Sequence, residues 1–141
     1  MLTKTKGLEL SELNSLIEKT SFARSLGAVV TDFQEGNVEL SIDVTPESKQ
    51  HHGFVHGAIV GFMADSACAW SAASVLGDVV TSEYKLNLLS PAVGEKLLAR
   101  GVVIKASGRQ ATCRADVFSV RADGKETLVA VALATIMQFK F

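Results

Sequence analysis

The chain has 141 residues, with 14 Lys+Arg against 15 Asp+Glu spread along it without blocks. That length suits one domain spanning 1–141, burying roughly 68–70% of the surface its unfolded chain exposes, and leaves no room for a second. The even charge excludes a basic footprint for nucleic acid and an acidic tail, so no nucleic-acid partner is expected.

The first residues, MLTKTKGLELSELNSL, lack the apolar core and cleavage site of a secretory signal, and a cytoplasmic location is expected. Leu10, Leu13, Leu16 and Ile17 stand at helical spacing and predict a short amphipathic helix, with Ser11 as a candidate cap. A second turn around Phe22 to Leu26 should stop at Gly27. Two strands are predicted next, Ala28 to Phe33 and Asn37 to Val44, joined by a hairpin turn at Gln34-Glu35-Gly36-Asn37. In the second, Val38, Leu40, Ile42 and Val44 alternate with Glu39, Ser41 and Asp43, so one face is wet, and Pro46 ends the pairing.

After a loop from Glu47 to Val55 comes an apolar run, Gly57 to Leu76, closed by Gly77-Asp78. It is long enough to span a bilayer, but Asp65, three serines and many alanines make a membrane span costly; a buried helix is expected, and no membrane partner. Four strand-like runs follow: Val79 to Leu89, Lys96 to Ser107, Gln110 to Arg121 and Glu126 to Gln138. Turn residues at Pro91 to Gly94, Gly108-Arg109 and Asp123-Gly124 separate them, which predicts a four-stranded antiparallel meander. Cys68 and Cys113 fall inside the helix and a strand, where free thiols behave as small hydrophobes.

A helix apolar on nearly every side needs cover on most sides, and a curved antiparallel sheet wrapped about it supplies that. The expected class is therefore α+β, a hotdog arrangement with a short N-terminal helix. One such sheet leaves edges and part of the helix open, so a homo-oligomer, at least a dimer joined by sheet extension, is expected.

Asp65 is the only charge between Gly57 and Leu76, and burying a carboxylate without a partner is costly. A bland role, capping backbone or pairing with a distant cation, is open. A functional role draws on Gly57, whose N–H at the helix start is a free donor reinforced by the helix dipole and so a ready oxyanion site. Eight residues of helix separate the two by about 12 Å, too far for one carbonyl to meet both in one chain. Two chains with their long helices antiparallel would bring Asp65 of one near Gly57 of the other.

The histidines admit further readings. His51 or His52, with His56 and Asp65, could offer a mixed metal-ligand set. His56 could be a general acid or base paired with Asp65, or could hold the loop through a ring-to-backbone hydrogen bond. His51 and His52 are otherwise ordinary loop residues.

The stretch GFVHGAIVGFMADSACAWSA, with TSEYKLNLLSPAVGEKLLARG and SGRQ downstream, resembles the hotdog-fold acyl-CoA thioesterases of the PaaI-like group, within the 4-hydroxybenzoyl-CoA thioesterase superfamily. The resemblance runs from about Gly27 to the C-terminus. Gln50, Gly53, His56, Gly57 and Asp65 occupy the places of that group's signature, while Ala58 stands where its second helix-opening glycine would be. What the resemblance implies is hydrolysis of an acyl-CoA thioester without metal or cofactor. Gly57 N–H would hold the developing oxyanion, Gln50 would assist it or orient the thioester, and Asp65 would be general base or nucleophile. Thr81 would position water or Asp65.

Gly53, Phe54, Val55 and Arg109 are the implied substrate contacts, Arg109 toward the phosphates of coenzyme A. Phe62, Met63 and Trp70 are candidate acyl-channel walls that could equally be core. A dimer, and a dimer of dimers, is the implied assembly. A hydratase or dehydratase acting through His56, or a non-catalytic acyl-CoA-binding module, are the competing functions.

Overall fold

A computed structural model describes residues 7–140; residues 1–6, where the stretch weighed above as a secretory signal begins, and residue 141 lie outside that description. Helix α1 (Leu10–Lys19) and the short α2 (Ser21–Ser25) precede strands β1 (Val29–Gln34) and β2 (Asn37–Asp43). A single 3-10 turn (Pro46–Ser48) leads on to the long α3 (Gly57–Leu76), and β3 (Val79–Leu88), β4 (Lys96–Ser107), β5 (Gln110–Val120) and β6 (Glu126–Gln138) complete the chain. The expected boundaries hold to within one residue for every strand and are matched for α3. α1 begins differently: Glu9 is its N-cap, with its N–H bonded to the Glu12 carboxylate at 2.8 Å, and Ser11 lies inside the helix.

All six strands form one antiparallel sheet in the order β1-β2-β4-β5-β6-β3. The expected four-stranded meander is therefore corrected. β4, β5 and β6 do form a meander, but β3 pairs with β6 and occupies the far edge. Alternation along a strand reports which face is buried, not which strand is the neighbour. Only the tight turns force adjacency, and the Pro-containing link after β3 is long enough to carry the chain past two strands, β6 and β5, to β4.

α3 lies in the concave face of the sheet and touches β2 through β6. Small side chains allow the close approach: Ala64, Ala67, Cys68, Ser71 and Ala72 meet Ala99, Gly101, Cys113, Ala115 and Ala134, all buried. Gly101 lets strand and helix come closest, since a Cβ there would drive into the Ala67 carbonyl. The helix ends at Gly77, whose φ of 89° is one that L side chains rarely adopt. By length and composition α3 could cross a membrane; here just over half of its apolar stretch is packed inside the fold.

The two edges of the sheet differ. On β1 the Asn14 amide clasps Val30, its Nδ2 donating to the Val30 carbonyl at 2.9 Å and its Oδ1 accepting from the Val30 N–H at 2.8 Å. Leu13 and Ile17, fully buried, anchor α1 so that Asn14 can reach that edge. Among the described residues the outer edge of β3 carries no strand.

Candidate active site

The loop before α3 is pinned from several directions. Gln50 N–H donates to Phe54 O at 2.8 Å and Gly53 N–H to Gln50 O at 2.9 Å, closing a small turn in which Gly53 takes a φ of 88°. Val55 N–H bonds to Ala92 O at 3.1 Å and His56 N–H to Ser48 O at 2.8 Å. The start of α3 is thereby fixed in direction.

His56 is the N-cap. Its Nδ1 accepts from Ala58 N–H at 3.0 Å, and its carbonyl accepts from Ile59 and Val60 N–H at 2.9 and 3.3 Å. Of the first-turn amides, only Gly57 N–H has no partner among the described residues. It opens onto a cleft of about 380 Å³ lined by Gln50, Phe54, Val55, Leu88 and Pro91. Gln50 turns its Oε1 to accept from His52 N–H, which leaves its amide NH2 as the donor without a partner among the described residues. Two N–H sources thus border one apolar cleft at the positive end of a helix, an arrangement suited to an oxygen that gains negative charge.

Asp65 is half-buried on α3, and Thr81, at the start of β3, donates its hydroxyl to Asp65 Oδ1 at 2.6 Å. Its neighbour Cys68 has a thiol pushed up to about 12, by burial first and then by Cys113 and the Asp65 charge. The Cys113 thiol is pushed up to about 11 by burial. Both thiols are free, buried and poor nucleophiles.

The anticipated residues therefore fall into groups. Gln50, Gly53, Phe54, Val55, His56 and Gly57 come together at the N-terminal end of α3, and Asp65 and Thr81 form a separate pair two helical turns further on, outside the cleft. Arg109 is at neither place. It is exposed in the β4–β5 turn, with Nη2 3.5 Å from the Gln138 carbonyl, while the Gln138 side chain bonds to Leu76 O at the opposite end of α3. His56 and Asp65 are not paired, and among the described residues no three of His, Cys, Asp and Glu gather as a set that could hold a metal. Of the candidate walls, Met63 is fully buried core, Phe62 packs edge-on against Phe22 with centroids 5.1 Å apart, and Trp70 is half-buried.

Sequence reasoning missed the far side of the cleft, Leu88 to Ala92, and also Tyr84. The apolar pair before Pro91 was the available signal for the first. Tyr84 projects toward α3 at Gly61, where an added Cβ would lie 3.2 Å from the phenol oxygen and 3.5 Å from Leu86 Cδ2.

The sequence matches the thioesterase superfamily over residues 52–124. Among solved structures it is similar to a thioesterase family protein from Silicibacter pomeroyi, at 35% identity and a TM-score of 0.78, covering 88% of this chain and 96% of that one. A thioesterase from Haemophilus influenzae follows at 25% identity and a TM-score of 0.81, with 97% and 94% covered. The PaaI protein of the E. coli phenylacetic acid degradation operon shares the fold, at 21% identity and a TM-score of 0.77, with 94% and 97% covered. No curated protein matches the chain. A match over half the sequence, together with a helix wrapped by a six-stranded sheet, shows that the chain belongs to the thioesterase superfamily and has the hotdog fold of its PaaI-like members.

Proposed function

We propose that the protein hydrolyses acyl-CoA thioesters in the cytoplasm, at two equivalent sites each built from two chains. The observation that carries this reading is the division of groups within one chain. A helix-start N–H without a partner among the described residues borders an apolar cleft, and the only acidic side chain of the helix stands two turns away, hydrogen-bonded to a threonine. Antiparallel pairing of two α3 helices joins the halves.

In such a site the thioester carbonyl receives hydrogen bonds from Gly57 N–H and the Gln50 amide, while Asp65 of the other chain, held by Thr81, approaches the carbonyl carbon. Asp65 takes a proton from water as the water attacks, or attacks the carbon itself to form a mixed anhydride that water then cleaves to the free acid and the Asp65 carboxylate; either way the thiolate of coenzyme A leaves and takes up a proton. His56 serves as a positioning residue that caps the helix and aims Gly57. Its commitment to Ala58 N–H supports hydrolysis over a hydratase that would need its ring to move protons. Phe54 and Val55 border the acyl group, and Gly53 shapes the loop. Antiparallel pairing also carries Arg109 of the second chain, at the far end of its own helix, toward the coenzyme end of the cleft.

The test is thiol release from a panel of acyl-CoA esters, from acetyl through long-chain and aryl. Asp65→Asn should lose nearly all turnover and keep its oligomeric state. Gly57→Pro removes the N–H at a helix position that accepts proline, and should cost about 10²- to 10³-fold. Mixing Asp65→Asn with Gly57→Pro chains should then restore about a quarter of wild-type activity, because half the random dimers are mixed and each has one intact site. Two variants that exchange chains yet stay inactive together would falsify the two-chain site; full activity in Asp65→Asn would remove the mechanism.

A further inference from the structure

Among the described residues Phe22 is the most exposed of the Phe, Tyr and Trp side chains, at 58%. A ring left in water forgoes a large burial, since aromatic side chains cover about 150–250 Å² each. Its position is nonetheless fixed. α2 buries Ala23 in the core, and the Phe22 carbonyl accepts from the Ser25 hydroxyl at 2.6 Å and from Leu26 N–H at 3.3 Å. The ring meets Phe62 of α3 edge-on, with centroids 5.1 Å apart and planes at 86°. Building on the two-chain site proposed above, we infer that Phe22 is a specificity-determining residue of that site: with Phe62 it forms the wall along which a medium-chain aliphatic acyl group lies beyond Asp65.

The helix sets the direction. Phe62 stands three residues before Asp65, so the two are neighbours on one side of α3, about 4.5 Å apart along its axis. Side chains on a helix lean toward its N-terminus, which tilts the Asp65 carboxylate over the turn that holds Phe62. The flank of Asp65 toward the sheet is closed. Thr81 bonds the carboxylate at 2.6 Å, and one turn back Tyr84 and Leu86 cover Gly61. The opposite flank is open: Ala58 is exposed there, Ser66 and Phe62 are half-buried, and the side chain that reaches Phe62 is Phe22. An acyl-CoA with its carbonyl oxygen at Gly57 of the other chain, and its sulfur toward the coenzyme, has this flank left for its alkyl carbons.

The two rings also set a length. They carry no charge and no hydrogen-bonding group, so what they recognise is hydrocarbon. An acetyl group ends beside Asp65 and touches neither ring, whereas a chain must run on the order of 10 Å to pass Phe62 and lie along Phe22. An octyl or octanoyl chain does so. Each methylene moved from water onto such a wall tightens binding by up to about fourfold.

The test uses S-alkyl-CoA thioethers, which cannot be hydrolysed, from ethyl through dodecyl, titrated by calorimetry into the full-length wild type, Phe22→Ala and Phe22→Leu. Wild-type affinity should rise with chain length. Phe22→Ala should bind ethyl-CoA within about twofold of wild type and octyl-CoA about 10-fold more weakly, and Phe22→Leu should recover most of the difference. An equal loss for ethyl and octyl overturns the inference, because it places the ring against the pantetheine arm or in the fold. No loss at any length also overturns it, and so does a smaller assembly on size exclusion with unchanged affinities, which would assign the ring to a contact between copies.

Thiol release from acetyl-CoA and octanoyl-CoA by the same three proteins separates this wall from the reaction. With both readings correct, Phe22→Ala loses about 10-fold in kcat/KM on octanoyl-CoA and keeps its rate on acetyl-CoA. Chain-length-dependent binding that falls in Phe22→Ala, without hydrolysis of either ester by wild type, sinks the thioesterase alone. Hydrolysis by wild type with Phe22→Ala equal to it on every ester and thioether sinks the wall alone.

Discussion

Gly101→Ala puts one methyl group where β4 and α3 touch. The new Cβ would enter the Ala67 carbonyl and stand 2.6 Å from Ser71 Oγ, whose hydroxyl already donates to Ala67 O at 2.5 Å. Neither neighbour can rotate away, because one is helix backbone and the other is bonded to it. An ordinary contact needs roughly 3.5 Å, so the helix must withdraw by about 1 Å. Overpacking of this kind costs about 1–3 kcal/mol, which for a chain of this size lowers the melting temperature by about 3–10 °C. The strain should also reach the site, since Ala67 is two residues from Asp65. Withdrawal of α3 from the sheet stretches the 2.6 Å bond from Thr81, and a misplacement of about 1 Å can cost roughly 10²-fold in rate. Thermal unfolding followed by circular dichroism reads the first effect, and thiol release at a temperature where the variant is fully folded reads the second. A melting temperature within about 1 °C of wild type, with unchanged turnover, would refute the claim that helix and strand meet without slack.

Two other substitutions probe the site more directly. Thr81→Val keeps the shape but removes the donor to Asp65, so kcat should fall about 10- to 100-fold with KM within about threefold, while Thr81→Ser restores it. An unchanged kcat would show that the bond does not act in turnover. The native protein should stay unreactive toward a thiol-specific dye and release two thiols per chain once unfolded, which keeps the protein's own thiols silent in the activity assay. Because Cys68 and Cys113 titrate at about 12 and about 11 in the fold against an ordinary 9.0, stability is whole below about pH 9 and declines as pH climbs through 11 to 12. Urea midpoints at stepped pH should show that decline, and Cys68→Ala/Cys113→Ala should lose the thiol-dependent part of it. Rapid dye labelling of the native chain would contradict the burial.

Much of the fold could be anticipated because its signals are local. α3 is an uninterrupted apolar run between Gly57 and Gly77, and β4 and β6 are bounded by turn residues, so their limits follow from the chain itself. Strand order is not local. β3 looked like the neighbour of β4 because nothing in its alternation reports that it lies beside β6. The same distance hides the bonds that matter most. Thr81 and Asp65, and Asn14 and Val30, are each sixteen residues apart with no period to link them; the first pair was reached only through the family resemblance, and the second not at all. Gly57, His56 and Gln50 were recognisable as a group because they crowd one loop and one helix start. The orientation of the Gln50 amide came only from the His52 N–H that it accepts.

The Asn14 clasp on β1 has a consequence for assembly. A sheet with two open edges has a valence of two, and each added copy exposes a fresh edge, so growth continues into a fibre. With one edge closed the valence is one. A strand approaching β1 finds the N–H and carbonyl of Val30 already taken, so the sheet cannot extend at that point. A single asparagine side chain thus lowers the number of edges through which the sheet could grow.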